Sequence, residues 1–395
     1  MTSSDAPARR SKQPSMGDVA KHAGVSSQTV SRVSNGHSNV DPLTRQRVID
    51  SMQALGYRPN SAARALRRGQ FRAIGVIMFT LRTFGNMSTL NAIATEAARA
   101  DYSVTLLPVR EATLGQVSGA YSRLGEAAVD GVVIIFEAHL LDEAEFSLPP
   151  GLPVVVIDSN AGDAYTVVDT DQADGARQAT EHLLGLGHRQ VWHIAGPESS
   201  FSAMRRMEYW QRTLRDAGIE PPPVLHGDWS TDSGYRHGME LGTRDDVTAI
   251  FAANDQMALG LMRALHELGR DVPGDISVVG FDDLEEAHSF WPPLTTIRQD
   301  FGEVGRQAIQ RLLAKVDGER ENHKIIVPTR LIVRGSTAAP RQELFRATAG
   351  APRAPNHEIS GPSECPLLVA AAVARVDVEL RAVGRALADH VEAQA

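Results

Sequence analysis

Between residues 73 and 337 the chain alternates short apolar runs with longer stretches in which apolar residues return every three or four positions. The runs predict strands at 73–79, 103–109, 131–136, 153–158, 190–195, 249–253 and 276–281. The periodic stretches predict helices at 90–100, 116–127, 174–186, 203–217, 233–241, 257–268 and 303–316. Strands apolar on both faces, each followed by an amphipathic helix, predict parallel sheets covered on both sides. Seven such units fit two doubly wound subdomains, together 71–338, better than one sheet. Ligands in such sheets bind beyond the carboxyl ends of the strands.

The pattern before residue 71 is different. Residues 1–14 are polar, with no apolar period, and read as a disordered leader. Three short helices are predicted over 15–59. The first runs 16–23 behind the cap Ser15 and stops at Gly24. The second starts at Ser26 and ends at Ser34, closed by Asn35 and Gly36. The third has Asp41 as cap, Pro42 at its first position, apolar Leu43, Val48, Ile49, Met52 and Leu55, and Gly56 as terminator. Ala20 is small where two helices must cross, Gly24 can take a left-handed turn, and Val25 and Val30 plug the angle between them. Val19 and Val33 face the third helix. This is a helix-turn-helix arrangement. The second helix then exposes Ser27, Gln28, Ser31 and Arg32; glutamine can pair with adenine and arginine with guanine in the major groove.

Charge sharpens that reading. The 395-residue chain has a net charge of −8, yet residues 1–72 carry twelve Lys and Arg against four Asp and no Glu. A basic head on an acidic body fits a polyanion-binding module. A plain three-helix bundle with a solvated face competes, but the acid-free polar face of the second helix favours double-stranded DNA. Segment 60–70 can form a helix of about two turns, too short to be stable alone. Asn60 caps it, and Ala62, Ala63 and Ala65 let two copies pack in a dimer. Leu66 would be an exposed wedge for a minor-groove base step, with Arg64, Arg67 and Arg68 at phosphates. A simple linker with a buried leucine is the alternative.

Residues 16–36, MGDVAKHAGVSSQTVSRVSNG, followed by 56–66, GYRPNSAARAL, resemble the headpiece and hinge helix of the LacI/GalR family. Ser34 stands where leucine or valine is usual in that family. With the resemblance, the candidate DNA contacts are Ser26, Ser27, Gln28, Thr29, Ser31, Arg32, Asn35, His37, Tyr57, Asn60, Ala63, Arg64, Leu66 and Arg67.

The strand ends of the body carry groups suited to paired hydroxyls: Asp158, Asn254-Asp255 and Asp282-Asp283. Ser202 and Arg206 open a helix, Trp229 lies in a Gly-Asp-Trp-Ser turn, and Gln299 and Phe301 flank a crossover after Pro292-Pro293. Carboxylate, amide and guanidinium groups bind hydroxyls, and aromatic rings cover an apolar sugar face. Helix capping and ordinary core packing explain the same residue types equally well. The segments GPESSFSA (196–203), GDWS (227–230), ANDQMALG (253–260), DISVVGFDD (275–283) and PPLTTIRQDF (292–301) again resemble the LacI/GalR family. The resemblance implies a core like that of periplasmic sugar-binding proteins and a sugar or glycoside effector. It implies effector contacts at Arg206, Trp229, Asn254, Asp282 and Phe301, joined by Asp158, Ser202 and Gln299. Residues 80–87 lack the proline-aromatic pattern common in the family, which leaves the opposite wall open.

No nucleophile elbow, zinc-protease, P-loop or dinucleotide-binding motif occurs, and the histidines form no ligand-spaced cluster, so His182 and His188 read as structural. No enzyme activity, cofactor or metal is expected. The single cysteine, Cys365, excludes an intrachain disulfide. No apolar run is long enough to span a bilayer and no signal segment follows the leader, so a cytoplasmic, nucleoid-associated protein is expected. Residues 339–366 read as a linker. In 367–395, Val369, Val373, Val376, Leu380, Val383 and Leu387 form a heptad-spaced seam. A homodimer is expected; a homotetramer through this helix is one reading of the seam, and a lone amphipathic helix is the other.

Overall fold

The computed structural model describes residues 14–58, 69–109, 114–135, 148–157 and 161–341. Asn60, Ala63, Arg64, Leu66 and Arg67 of the predicted hinge helix, Asp158, and the predicted 367–395 helix lie outside the described residues.

The head has three helices: α1 (Met16–Ala23), α2 (Ser27–Ser34) and α3 (Pro42–Leu55). Each begins where a side-chain cap meets a free first-turn N–H. Ser15 and Asp18 form a reciprocal capping box, Ser26 accepts from the Thr29 N–H at 3.1 Å, and Asp41 accepts from the Thr44 N–H at 2.9 Å. Gly24 closes α1 at φ 64°, a left-handed value that favours glycine. Val19, Ala20, Ala23, Val30, Val33 and Val48 are buried together, and Val25, Ile49, Met52, Leu55 and Tyr57 pack around them. At the edge of this small core the ring Nδ1 of exposed His22 lies 3.0 Å from the hydroxyl of buried Ser51, which donates to the Arg47 carbonyl, tying α1 to α3. Leu43, expected among the apolar residues of α3, is 82% exposed. It sits in the first turn of the helix, before the stretch that meets the core.

The first lobe contains β1 (Ala73–Met78), α4 (Phe84–Arg99), β2 (Ser103–Pro108), α5 (Leu114–Glu126), β3 (Gly131–Ile135), β4 (Val154–Ile157) and β5 (Thr166–Thr170). The second contains α6 (Gln172–Gly185), β6 (Trp192–Ala195), α7 (Phe201–Asp216), β7 (Leu225–His226), α8 (Thr231–Leu241), β8 (Ala249–Ala252), α9 (Asp255–Glu267), β9 (Ser277–Asp282) and β10 (Thr295–Arg298). The chain then returns to the first lobe with α10 (Phe301–Val316) and β11 (Lys324–Val327), and crosses once more to β12 (Arg330–Ile332). Two six-stranded sheets result, ordered β11-β5-β4-β3-β1-β2 and β12-β10-β9-β8-β6-β7. Leaving aside the strand each gains from the returning chain, the lobes share one order. In each, the switch point lies between the first and third strands, where doubly wound folds open a ligand crevice.

All seven predicted strands are present. The expectation of purely parallel sheets needs one correction: β12 pairs antiparallel to β10. It arrives from the opposite lobe by a two-residue link instead of a covering helix, so it lacks the crossover that parallel pairing needs. Both sheets are covered on both faces, by the clusters around Ile93 and Leu124 in the first lobe and Leu261 and Trp210 in the second. Among the described residues no helix is long and apolar enough to cross a membrane.

Candidate functional site

On the head, Ser27, Gln28 and Arg32 of α2 are exposed, whereas Val30 and Val33 on the same helix are buried. The other expected contacts are partly committed within the fold. The Ser26 and Thr29 hydroxyls lie 2.9 Å apart in the cap, and Asn35 Nδ2 donates to the Ser31 carbonyl at 2.7 Å. The His37 side chain is exposed and its carbonyl accepts from Arg45, a residue the sequence reading did not single out. Tyr57 is half-buried against the head's core. The exposed face of α2 is thus a short row of donors and acceptors on a helix braced by apolar contacts from behind.

The second site is a cleft between the lobes, open to solvent. Seven of the eight expected effector residues line it: Ser202, Arg206, Trp229, Asn254, Asp282, Gln299 and Phe301. Asp158, the eighth, is outside the described residues.

Its floor is a circuit of buried polar groups. Ser200 caps α7, placing Ser202 and Arg206 on the first turns of that helix. Arg206 Nε donates to Gln172 Oε1 at 2.8 Å, its Nη1 donates to the Ala253 carbonyl, and Nη1 lies 3.8 Å from Asp282 Oδ1. Gln299 Nε2 donates to Asp282 Oδ1 at 2.6 Å, and Gln172 Nε2 donates to Gln299 Oε1 at 3.4 Å, closing the ring. The guanidinium stacks 3.7 Å from the Phe281 ring centroid and 5.5 Å from that of Trp229. Charges this deep persist because each is paired and hydrogen-bonded.

The backbone here is held in unusual conformations. Trp229, Asp282 and Asp283 have φ of 69°, 118° and 58°. Such values cost non-glycine residues roughly 1–3 kcal/mol each and need surrounding restraint. Asn254 supplies some of it: Oδ1 caps α9 through the Met257 N–H at 2.9 Å, and Nδ2 donates to the Trp229 carbonyl at 3.1 Å. Helix capping and pocket lining, competing explanations for Asn254 at the sequence level, both hold. Asp283 is clamped by Arg298 and Arg334. Gly196 has no side chain because the Trp229 ring lies where one would go, 2.4 Å from an added Cβ. Asp255, adjacent to Asn254, is fully buried and points away from the cleft. It accepts from the Thr296 hydroxyl at 2.6 Å and the Leu284 N–H at 2.8 Å. Burial, and then the charge of Asp282, push its carboxyl well above the ordinary carboxylate range.

The opposite wall contains residues the sequence reading missed, Thr83, Phe84, Asn86, Thr89 and Asp169, and the floor contains one more, Gln172. Residues 80–87 lack the proline-aromatic pattern, yet Phe84 puts an aromatic ring on this wall; it meets Phe301 edge to face, with centroids 5.7 Å apart. Thr83 occupies the cap position of α4 without making a side-chain cap bond, and its buried hydroxyl has no hydrogen-bond partner among the described residues. The available signal was topological: residues 80–87 follow β1 at the switch point. His182 and His188 sit elsewhere, bonded to Thr337 and to Thr248 and Ser277.

Comparison with known proteins bears on both sites. The profile of the lacI family of bacterial regulatory proteins matches residues 15–60, and that of the periplasmic binding protein-like domain matches 180–337. Over 328 residues, 82% of this chain and 91% of the other, the sequence is 37% identical to the lactose operon repressor of Escherichia coli strain K12. The chain belongs to the LacI family. Another relative of this LacI-family chain is the transcriptional regulator CelR of Thermobifida fusca, 34% identical over 83% of this chain and 99% of that one. Among solved structures, the lac repressor dimer bound to operator and the anti-inducer ONPF matches with a TM-score of 0.74. It shares 37% identity over 83% of this chain and all of that one. A CelR–cellobiose complex matches with a TM-score of 0.61 and 30% identity over 82% and 99%. This LacI-family chain is therefore a helix-turn-helix DNA-binding repressor with a ligand-binding core.

Proposed function

We propose that the chain represses sugar-utilisation genes by binding a palindromic operator as a homodimer, and that a small sugar or glycoside in the interlobe cleft releases it. The observation that carries the effector reading is the Gln172–Arg206–Asp282–Gln299 circuit beside the Phe84–Phe301 pair: directional partners for hydroxyls next to an apolar surface for a ring. CelR in complex with cellobiose supports it. Because both lobes line the cleft, a ligand's affinity depends on how they are set. It shifts the equilibrium between arrangements by its differential affinity for them. On the DNA side, Gln28 and Arg32 read the major groove, and Leu66 of paired hinge helices wedges the central minor-groove step. The 367–395 seam is a candidate for joining two dimers.

The test is fluorescence anisotropy of the full chain on its own upstream DNA, with a panel of neutral mono- and disaccharides. Salt-sensitive binding to one tract, reversed by at least one sugar, is expected. Binding with no preferred tract refutes the operator reading; tract binding that no sugar alters refutes the effector reading. Leu66→Ala is expected to lower operator affinity by about tenfold or more, and affinity equal to the parent's removes the wedge.

A further inference from the structure

We infer that Asp130 is a positioning residue for operator binding: it clamps the point where the chain from the head enters the core onto the two strands that run to the cleft. This rests on the operator reading above and adds a residue to it.

The chain passes from the head to the core once, and residues 69–72 are the last before β1. Asp130 sits at the corner between α5 and β3. Its Oδ1 accepts the Phe71 N–H and its Oδ2 the Arg72 N–H, each at 2.7 Å. Two successive backbone N–H groups thus converge on one carboxylate, and bonds to an ionised acceptor are stronger than neutral ones. The Asp130 N–H donates in turn to the Ala73 carbonyl at 2.8 Å. Arg72 is tied at a second corner, between α4 and β2. Its carbonyl accepts the Ser103 N–H at 2.9 Å, and its Nη1 donates to the Ala100 carbonyl at 3.2 Å. Its guanidinium lies over the Tyr102 ring, 5.2 Å from the centroid.

Packing does not account for the clamp. Phe71 and Arg72 are both exposed, so little apolar surface is buried by fixing them. Yet they are fixed from two corners of the lobe, and Arg72 is held at φ 57°, a strained value for a residue with a side chain. The strands behind the clamp give it a role. β1 and β3 are neighbours, with Ile74 opposite Gly131. β1 leads to Thr83 and Phe84 and β3 ends at Ile135, and these residues line the cleft. The clamp holds the opposite ends of the same two strands. The hinge predicted over 60–70 is too short to be stable alone. A root fixed in advance removes part of the ordering that operator binding must otherwise supply.

The experiment is fluorescence anisotropy of the full chain and of Asp130→Ala, on the tract of its own upstream DNA and on a random-sequence duplex of equal length, with thermal melting of each protein. Affinity for the tract is expected to fall about tenfold in the variant, because residues 71 and 72 must then be ordered on binding. Affinity for the random duplex, which depends on the charge of the head, is expected to stay within about twofold. A merely structural defect would weaken both together. Unchanged affinity for the tract, or an equal loss on both duplexes, overturns the inference. Where the alanine variant melts early, Asp130→Asn decides by the same comparison; it keeps the side chain's shape and one carbonyl acceptor, and its loss on the tract is expected to be about threefold. A parent chain with no preferred tract overturns the operator reading itself, and this inference with it.

Discussion

The two lobes are built on one strand order, yet their walls of the cleft are made differently. The second lobe presents Arg206 and Asn254, each held by two side-chain hydrogen bonds, and Asp282, which accepts from Gln299 on backbone held at positive φ. The first lobe presents the start of α4: an aromatic ring, an uncapped threonine and an amide bonded to its own loop. A wall whose groups are locked before the ligand arrives sets orientation at low ordering cost, whereas a wall of rings and loop residues sets fit. The contrast locates polar recognition in the second lobe and shape recognition in the first.

The most damaging substitution should be Arg206→Leu. It leaves Asp282 buried without its countercharge, for a stability loss of about 3–5 kcal/mol in urea unfolding and loss of measurable sugar binding. A loss under about 1 kcal/mol would show that the circuit is not what holds this wall. Next is a pH effect beneath the same wall. His193 on β6 is stacked between Phe251 and Trp210, and burial lowers its pKa to about 3. The unfolded chain takes up a proton near pH 6.5 that the folded chain refuses, so stability falls as pH drops below about 6.5. One such group contributes about 2 kcal/mol of loss between pH 7.5 and 5. Denaturation at both pH values should show this difference shrinking in His193→Phe; an unchanged difference would assign the effect to other groups. On the first-lobe wall, Phe84→Ala should weaken sugar binding about three- to tenfold through the lost contact with Phe301. A loss of a hundredfold would mean that this wall also supplies dominant recognition. Smallest is Thr83→Val: the hydroxyl has no partner among the described residues to lose, so stability should stay within about 0.5 kcal/mol or rise. A clear loss would mean the hydroxyl already serves the fold.

The same contrast explains what could be read from the chain. The head was legible to the residue because Ser15, Ser26 and Asp41 start helices and Gly24 and Gly56 stop them through local chemistry alone. The second-lobe wall was legible because its residues occupy strand ends inside distinctive motifs. The first-lobe wall was not: α4 begins at Phe84, ahead of the predicted 90, because Gly85, Asn86, Ser88 and Thr89 show no apolar period. Strands β5, β7, β10, β11 and β12 were missed for similar reasons. β5 buries Thr166, Asp169 and Thr170 among its five residues, β7 has only two, and β11 and β12 are partly exposed edges. Asp169 combines both obstacles, a polar residue inside a strand that polar residues disguise.

The links at Asp171, at Gln299-Asp300 and at Pro328-Thr329 lead the polypeptide from lobe to lobe three separate times. Neither half of the core is therefore a continuous stretch of sequence: a fragment ending near residue 171 lacks α10 and β11, and one ending near 298 lacks the outermost strand of both sheets. Excising either half as a stand-alone reagent would strip apolar surface bare, and a nascent chain must leave both halves unfinished until nearly all of residues 71–332 has emerged.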